Sequence, residues 1–264
     1  MSARSPFAQT PGRWADLRTR SLSAAVLLGL GGGSLAIGGL AFLVFVAACL
    51  GAVFWELLRM YRADLSLPAL GCGLLAALAI LLAAMLPLLL MPLVLAVPLA
   101  AGAWVLQSRR RYFLMIAGWV LLGGFGLIWL RDAYGFGWML WLILVVVATD
   151  VAGYFAGKHF GGPKFWPAVS PKKTWSGTAG GWVAAAVIGV LFAWLGGLPA
   201  SVIPLSVVVS MASQAGDIAE SALKRYLGVK DSSQLIPGHG GVFDRFDGML
   251  GAGALCFVVA MVLS

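Results

Sequence analysis

Residues 21–57 read SLSAAVLLGLGGGSLAIGGLAFLVFVAACLGAVFWEL, an apolar run broken by one charge, Glu56. A helix needs about 20 mostly apolar residues to cross a bilayer core. At 37 residues this run is too long for one crossing. Its Gly-rich centre, Gly31–Gly39, divides it into a pair near 21–37 and 40–57. Working outward, further spans read near 68–86, 89–107, 112–130 and 135–156, then near 178–197, 200–222 and 247–263. The expected fold class is all-α: a polytopic integral membrane protein with about nine transmembrane helices.

Composition leads to the same class. Of 264 residues, 61% are hydrophobic and 11% charged, and mean hydropathy is +0.96. A soluble domain carries about 25% charged residues. A soluble enzyme, a disordered regulator and a disulfide scaffold are all disfavoured. Cys49, Cys72 and Cys256 fall inside apolar runs, where free cysteine behaves as a small hydrophobe. The first apolar stretch is too long for a cleaved signal sequence and is expected as a retained span. Neither an internal repeat nor a separate soluble domain is legible.

The net charge of +8 does not call for nucleic acid once its distribution is read. Alternate connections hold Arg4, Arg13, Arg18 and Arg20; Arg59 and Arg62; Arg109–Arg111; Lys158, Lys164, Lys172 and Lys173; and Lys224, Arg225, Lys230 and Arg245. That places 17 of the 18 basic residues on one side and leaves Arg131 on the other. Cytoplasmic loops carry the Lys/Arg excess. The N-terminus is therefore expected in the cytoplasm and the protein in the plasma (inner) membrane.

Acidic residues are scarce: Asp16, Glu56, Asp64, Asp132, Asp150, Asp217, Glu220, Asp231, Asp244 and Asp247. Half of them lie between 217 and 247. Residues 1–134 read as a membrane-spanning scaffold, and 135–264 as a catalytic region with cytoplasmic-face loops, within a single membrane domain.

Four polar clusters need an explanation. Asp150 ends the apolar run Leu142–Ala148, and an ionisable group at a membrane margin is costly enough to suggest function. Lys172 and Lys173 sit in a Ser-Pro-Lys-Lys-Thr-Trp-Ser-Gly loop that could hold a phosphate. Ser213, Asp217, Glu220, Ser221 and Lys224 share one helix face. Finally come Lys230 and Asp231, the Pro237-Gly238-His239-Gly240-Gly241 turn, and Asp244, Arg245 and Asp247. Carboxylates beside basic residues and a Gly-rich turn suit Mg²⁺ and phosphate. Zinc is disfavoured, with two His and no Cys near either. No Ser-His-acid arrangement stands at a familiar spacing. The chemistry points to phosphoryl or nucleotidyl transfer to a substrate delivered from the membrane.

The 27 residues Ser221–Asp247, SALKRYLGVKDSSQLIPGHGGVFDRFD, resemble the signature of the phosphatidate cytidylyltransferases (CDP-diacylglycerol synthases). The Asp150 motif, the Lys172–Lys173 loop and the Gly216-Asp217 helix occur in the family order. The resemblance covers about 150–250. It implies a nucleotidyltransferase of phospholipid biosynthesis that moves CMP from CTP to phosphatidate, giving CDP-diacylglycerol and pyrophosphate at the cytoplasmic face.

The resemblance also implies a site. Asp217 and Asp244 match the family's binders of a two-cation centre. One cation is Mg²⁺, and the second position suits a monovalent ion such as K⁺. Asp247 contributes, and Lys224 is counted with the catalytic set. Asp150, Lys172, Lys173, Ser213, Ser221, Arg225, Lys230, His239, Gly240, Gly241 and Arg245 are expected to meet substrates. Ser176 departs from the family, which often has Glu there. CTP, phosphatidate and the bilayer are the expected partners, with no nucleic acid. Gly-rich helices would permit a homodimer. The alternatives are a CTP-dependent transferase for another lipid phosphate and an anionic-solute transporter. The charges collect at one face rather than at the bilayer midplane, which disfavours the transporter.

Overall fold

The computed structural model describes residues 13–107 and 109–263. Arg4 lies outside the described residues, as do the side chains of Arg13, Asp16 and Arg18. Eight helices follow in order: α1 (Arg13–Ile37), α2 (Gly39–Tyr61), α3 (Ser66–Met85), α4 (Met91–Leu106), α5 (Arg110–Phe160), α6 (Trp175–Trp194), α7 (Val202–Leu227) and α8 (Phe243–Leu263). A single 3-10 turn, Leu88–Leu90, precedes α4. With the 3-10 turn counted into α4 (Leu88–Leu106), all eight of these described helices are long and apolar enough to cross a membrane, and the chain is a multi-pass membrane protein.

Two expected spans, 112–130 and 135–156, are joined in α5. A helix rises 1.5 Å per residue, so the 51 residues of α5 far exceed the roughly 30 Å hydrocarbon core. Gly135 interrupts it with φ 84° and ψ −171°, a backbone conformation that suits glycine. The expected Arg131–Tyr134 connection stays helical, and the direction changes at one residue.

The break between α1 and α2 falls at Gly38, with φ 71°. The last carbonyls of a helix lack partners within it. Arg131 supplies one from α5: its Nε and Nη2 both donate to the Leu35 carbonyl, at 3.2 and 3.1 Å. A Cβ on Gly38 would lie 2.5 Å from Arg131 Nη2. An arginine of α5 therefore closes the end of α1.

The core runs along α2 and α5, with Phe54, Phe113, Trp141 and Phe243 fully buried. Phe54 and Phe113 pack edge to face at 5.7 Å. Between α5 and α6 the chain forms an antiparallel hairpin, β1 (Lys164–Trp166) and β2 (Ser170–Thr174), with Lys164 opposite Thr174. This short extended element was not expected. It carries Lys164, Lys172 and Lys173 back over the end of the bundle.

Candidate active site

Two close helix approaches build the site. At the first, α6 begins where the Thr174 hydroxyl accepts the Gly177 N–H at 3.2 Å, an N-cap bond of the usual kind. A Cβ on Gly177 would lie 2.6 Å from the Gly153 carbonyl oxygen of α5. Small residues permit that contact, which draws Asp150 and the lysine hairpin together. Ser176 donates to the Gly161 carbonyl and lies 3.0 Å from the Thr174 hydroxyl. It ties the hairpin to the end of α5.

At the second approach, a Cβ on Gly216 would lie 2.4 Å from the Asp247 carbonyl oxygen. The α7 and α8 backbones touch there, and Asp217 comes beside Asp247. Glu220 sits one turn on. Single carboxylate oxygens of Asp217, Glu220 and Asp247 lie within 4.8 Å of one another.

The first approach opens a cavity of about 540 Å³. It is lined by Asp150, Lys158, Lys164, Lys172, Lys173 and Asp217, with Gln214 and the apolar parts of Tyr154, Phe165 and Ile218. Lys173 and Asp217 form an ion pair at 2.5 Å. Gln214 is held on both sides, accepting from Trp182 Nε1 at 3.0 Å and donating to the Thr178 carbonyl at 3.3 Å. Four ammonium groups and two carboxylates thus share one concavity at one end of the bundle. Such a wall suits a polyphosphate accompanied by a cation.

The carboxylate group continues as a chain of ion pairs. Lys224 lies 2.7 Å from Glu220 and 2.8 Å from Asp244. Asp244 also accepts the Ser232 N–H at 3.1 Å, the Ser232 hydroxyl at 3.0 Å and the Gly241 N–H at 2.8 Å. Its oxygens are all engaged. Of the expected Asp217, Asp244 and Asp247, the structure sets Asp217 and Asp247 together with Glu220, and puts Asp244 one lysine away. Glu220 Oε1 and Ser213 Oγ are buried and have no hydrogen-bond partner among the described residues. An orphaned, buried Glu220 oxygen within a carboxylate cluster fits a divalent cation. Asp217, Glu220 and Asp247 are the residues that would hold it.

The other expected residues divide. Ser221 donates to Asp217 at 3.3 Å and belongs to the cluster. Arg245 donates twice to the His239 carbonyl, at 2.9 and 2.6 Å, and so closes the Gly-rich turn instead of lining the cavity. His239 Nδ1 is buried within that turn without a partner among the described residues. Gly240, with φ 83°, and Gly241 shape the turn around Asp244. Lys230 and Arg225 are exposed beyond the cavity.

The polar stripe of α7 also runs deeper than expected. Trp141 Nε1 donates to Ser206 at 2.8 Å, and Thr149 donates to Ser210 at 2.8 Å. These bonds lock α7 to α5 beneath Asp217. The serine spacing is the signal for this stripe. The most consequential residue missed is Glu56, fully buried against the Ser232–Phe243 segment. Its signal is a lone carboxylate in an apolar run.

A helical, multi-pass membrane protein with a lysine-walled cavity over a carboxylate cluster is the class that fold and site define. The chain belongs to the cytidylyltransferase family, whose model matches residues 18–263. It is 46% identical over 135 residues to the phosphatidate cytidylyltransferase of Brucella suis, 50% of each chain. It is 44% identical over 122 residues to that of Bacillus subtilis, 45% of each chain. It is 36% identical over 157 residues to that of Mycobacterium tuberculosis, 56% of this chain and 46% of the relative. The matched stretch spans about half the length of these relatives.

Proposed function

We propose that the protein transfers CMP from CTP to phosphatidate, yielding CDP-diacylglycerol and pyrophosphate. One observation carries this: four lysines and two carboxylates ring a single cavity beside the Asp217–Glu220–Asp247 cluster. Membership in the cytidylyltransferase family and the names of its relatives supply the nucleotide and the lipid.

A phosphatidate oxygen attacks the α-phosphorus of CTP. The new P–O bond forms as the bond to pyrophosphate breaks. The phosphatidate headgroup is already ionised at neutral pH, so the site needs no strong general base. Lys158, Lys164, Lys172 and Lys173 offset the phosphate charge and align the reacting groups. Lys173, which pairs with Asp217 and lines the cavity, is placed to meet a substrate phosphate. A bound Mg²⁺ supplies charge neutralisation at the phosphoryl oxygens. Asp244 keeps Lys224 beside Glu220.

The lopsided distribution of basic residues supports the finer topology. Counting α5 as two spans divided at Gly135 gives nine crossings, with the N-terminus and the cavity on the cytoplasmic side of the plasma membrane. Apolar faces rich in glycine leave room for a homodimer.

The test is turnover by the purified protein in mixed micelles with CTP and phosphatidate. CDP-lipid and pyrophosphate should appear in equal amounts and vanish on chelation of Mg²⁺. Folded protein that makes no product from phosphatidate or its ether analogue would overturn the assignment.

A further inference from the structure

Glu56 is the single acidic residue of α2, α3 and α4, and its exposure is 0%. Burial of a carboxylate is costly unless donors surround it. Four do. Oε1 accepts from the Ser233 hydroxyl at 2.6 Å and the Val242 N–H at 2.8 Å. Oε2 accepts from the Phe243 N–H at 2.8 Å and the Ser232 hydroxyl at 3.1 Å.

Phe243 opens α8, so the carboxylate faces a helix N-terminus, where negative charge is favoured. The four donors come from two separate arms of the loop, 232–233 and 242–243. One side chain of the first half therefore clamps both arms. The Ser232 hydroxyl lies 3.1 Å from Glu56 and 3.0 Å from Asp244. Its single proton serves one carboxylate at a time, while its N–H stays on Asp244. A continuous path follows: Glu56 to Ser232, to Asp244, to Lys224, to Glu220.

We infer that Glu56 is a positioning residue for the proposed transferase site. It sets the Ser232 and Gly241 donors that hold Asp244, and through Lys224 it sets the Glu220 arm of the cation cluster. The inference rests on the proposed reaction only for its kinetic readout. Its structural content is that cation binding on α7 and α8 depends on a carboxylate in α2.

Glu56→Gln is the informative change. An amide oxygen can replace one carboxylate oxygen, but its NH₂ group must then face a backbone N–H, of Val242 or of Phe243. In phosphatidate turnover, Glu56→Gln should lower kcat about 10- to 100-fold, the range seen when a group orienting metal ligands is lost. Half-saturating Mg²⁺ should rise several-fold while KM for phosphatidate stays within about twofold. Glu56→Asp keeps the charge and should recover part of both. Ser232→Ala removes the bridge and spares both N–H bonds to Glu56, and it should shift the Mg²⁺ requirement in the same direction. That variant carries the test should Glu56→Gln fail to fold in detergent.

A purely structural clamp would lower Tm and leave kcat and Mg²⁺ dependence of the folded protein unchanged; that result overturns the inference. The rise in Tm caused by Mg²⁺ gives an independent readout. It should shrink in Glu56→Gln and in Ser232→Ala. Wild-type protein that gains Tm from Mg²⁺ but turns over no lipid phosphate refutes the reaction and leaves this inference standing on the Tm data. Equal Mg²⁺ protection of wild type and both variants refutes the inference alone.

Discussion

Before Gly135, polar groups are mostly closed on one another; after it, several stand open. Arg131 places two N–H groups on one carbonyl, and Glu56 meets four donors. The buried Tyr61 hydroxyl, without a partner among the described residues, is the exception. In the second half, Glu220 Oε1 and Ser213 Oγ are buried and unmatched among the described residues, and four lysines face a cavity. Closed polar groups stabilise a fold, whereas open ones are available to a ligand. Asp244 lies in the second half but is closed like the first. It marks where support passes into chemistry.

The largest expected effect separates Asp217 from Asp244. Asp217→Asn should lower turnover about 10²- to 10³-fold, the range for losing one charge interaction at a reacting centre. Its Tm in detergent should fall less than that of Asp244→Asn, because Asp217 loses an ion pair to Lys173 at the cavity wall and a long bond from Ser221, and no backbone N–H. Asp244→Asn should lower turnover by a similar factor and Tm as well, since it weakens bonds to Lys224, Ser232 and Gly241. Equal Tm values for the two variants would erase the distinction between open and closed carboxylates.

Gly216→Ala tests the α7–α8 approach. Its Cβ would meet the Asp247 carbonyl at 2.4 Å, and overpacking of this kind costs about 1–3 kcal/mol. Thermal melts should show the loss, and the Mg²⁺ needed for half-maximal turnover should rise as Asp217 and Asp247 separate. An unchanged Mg²⁺ requirement would detach the cluster from that contact.

Lys173→Ala should act mainly on substrate binding. A hydrogen bond to a charged group is worth about 1.5–3 kcal/mol, so KM for CTP or for phosphatidate should rise about tenfold or more. Steady-state kinetics with each substrate varied would show which phosphate Lys173 meets.

Arg131→Ala has the smallest expected effect on activity. It strands the Leu35 carbonyl and should cost about 1–3 kcal/mol of stability, with kcat unchanged within about twofold. A large fall in kcat with intact Tm would make the first half more than support.

Much of this was legible in the chain. Apolar runs near 20 residues mark the helices, glycines mark their breaks, and Asp150, Lys172, Lys173 and Asp217 do share one cavity. What could not be read depends on which faces meet. Asp217 and Glu220 lie on one stripe of α7, but only the Gly216 contact brings Asp247 to them. Glu56 and its partners lie 176 to 187 residues apart, beyond any periodicity argument. The cost of a charge in an apolar run, applied to Asp150, applies equally to Glu56. It marks the residue and cannot name its partners. The hairpin at Lys164–Thr174 was hidden because a basic loop at a membrane surface needs no regular structure.

The most direct test follows label from CTP. The protein in phosphatidate micelles is given CTP labelled at the α-phosphate, and in a parallel reaction at the γ-phosphate. The account predicts α-label in a lipid-extractable product and γ-label in pyrophosphate, in equal amounts. Transfer of the γ-label to lipid, or release of both labels into water with no labelled lipid, would contradict it.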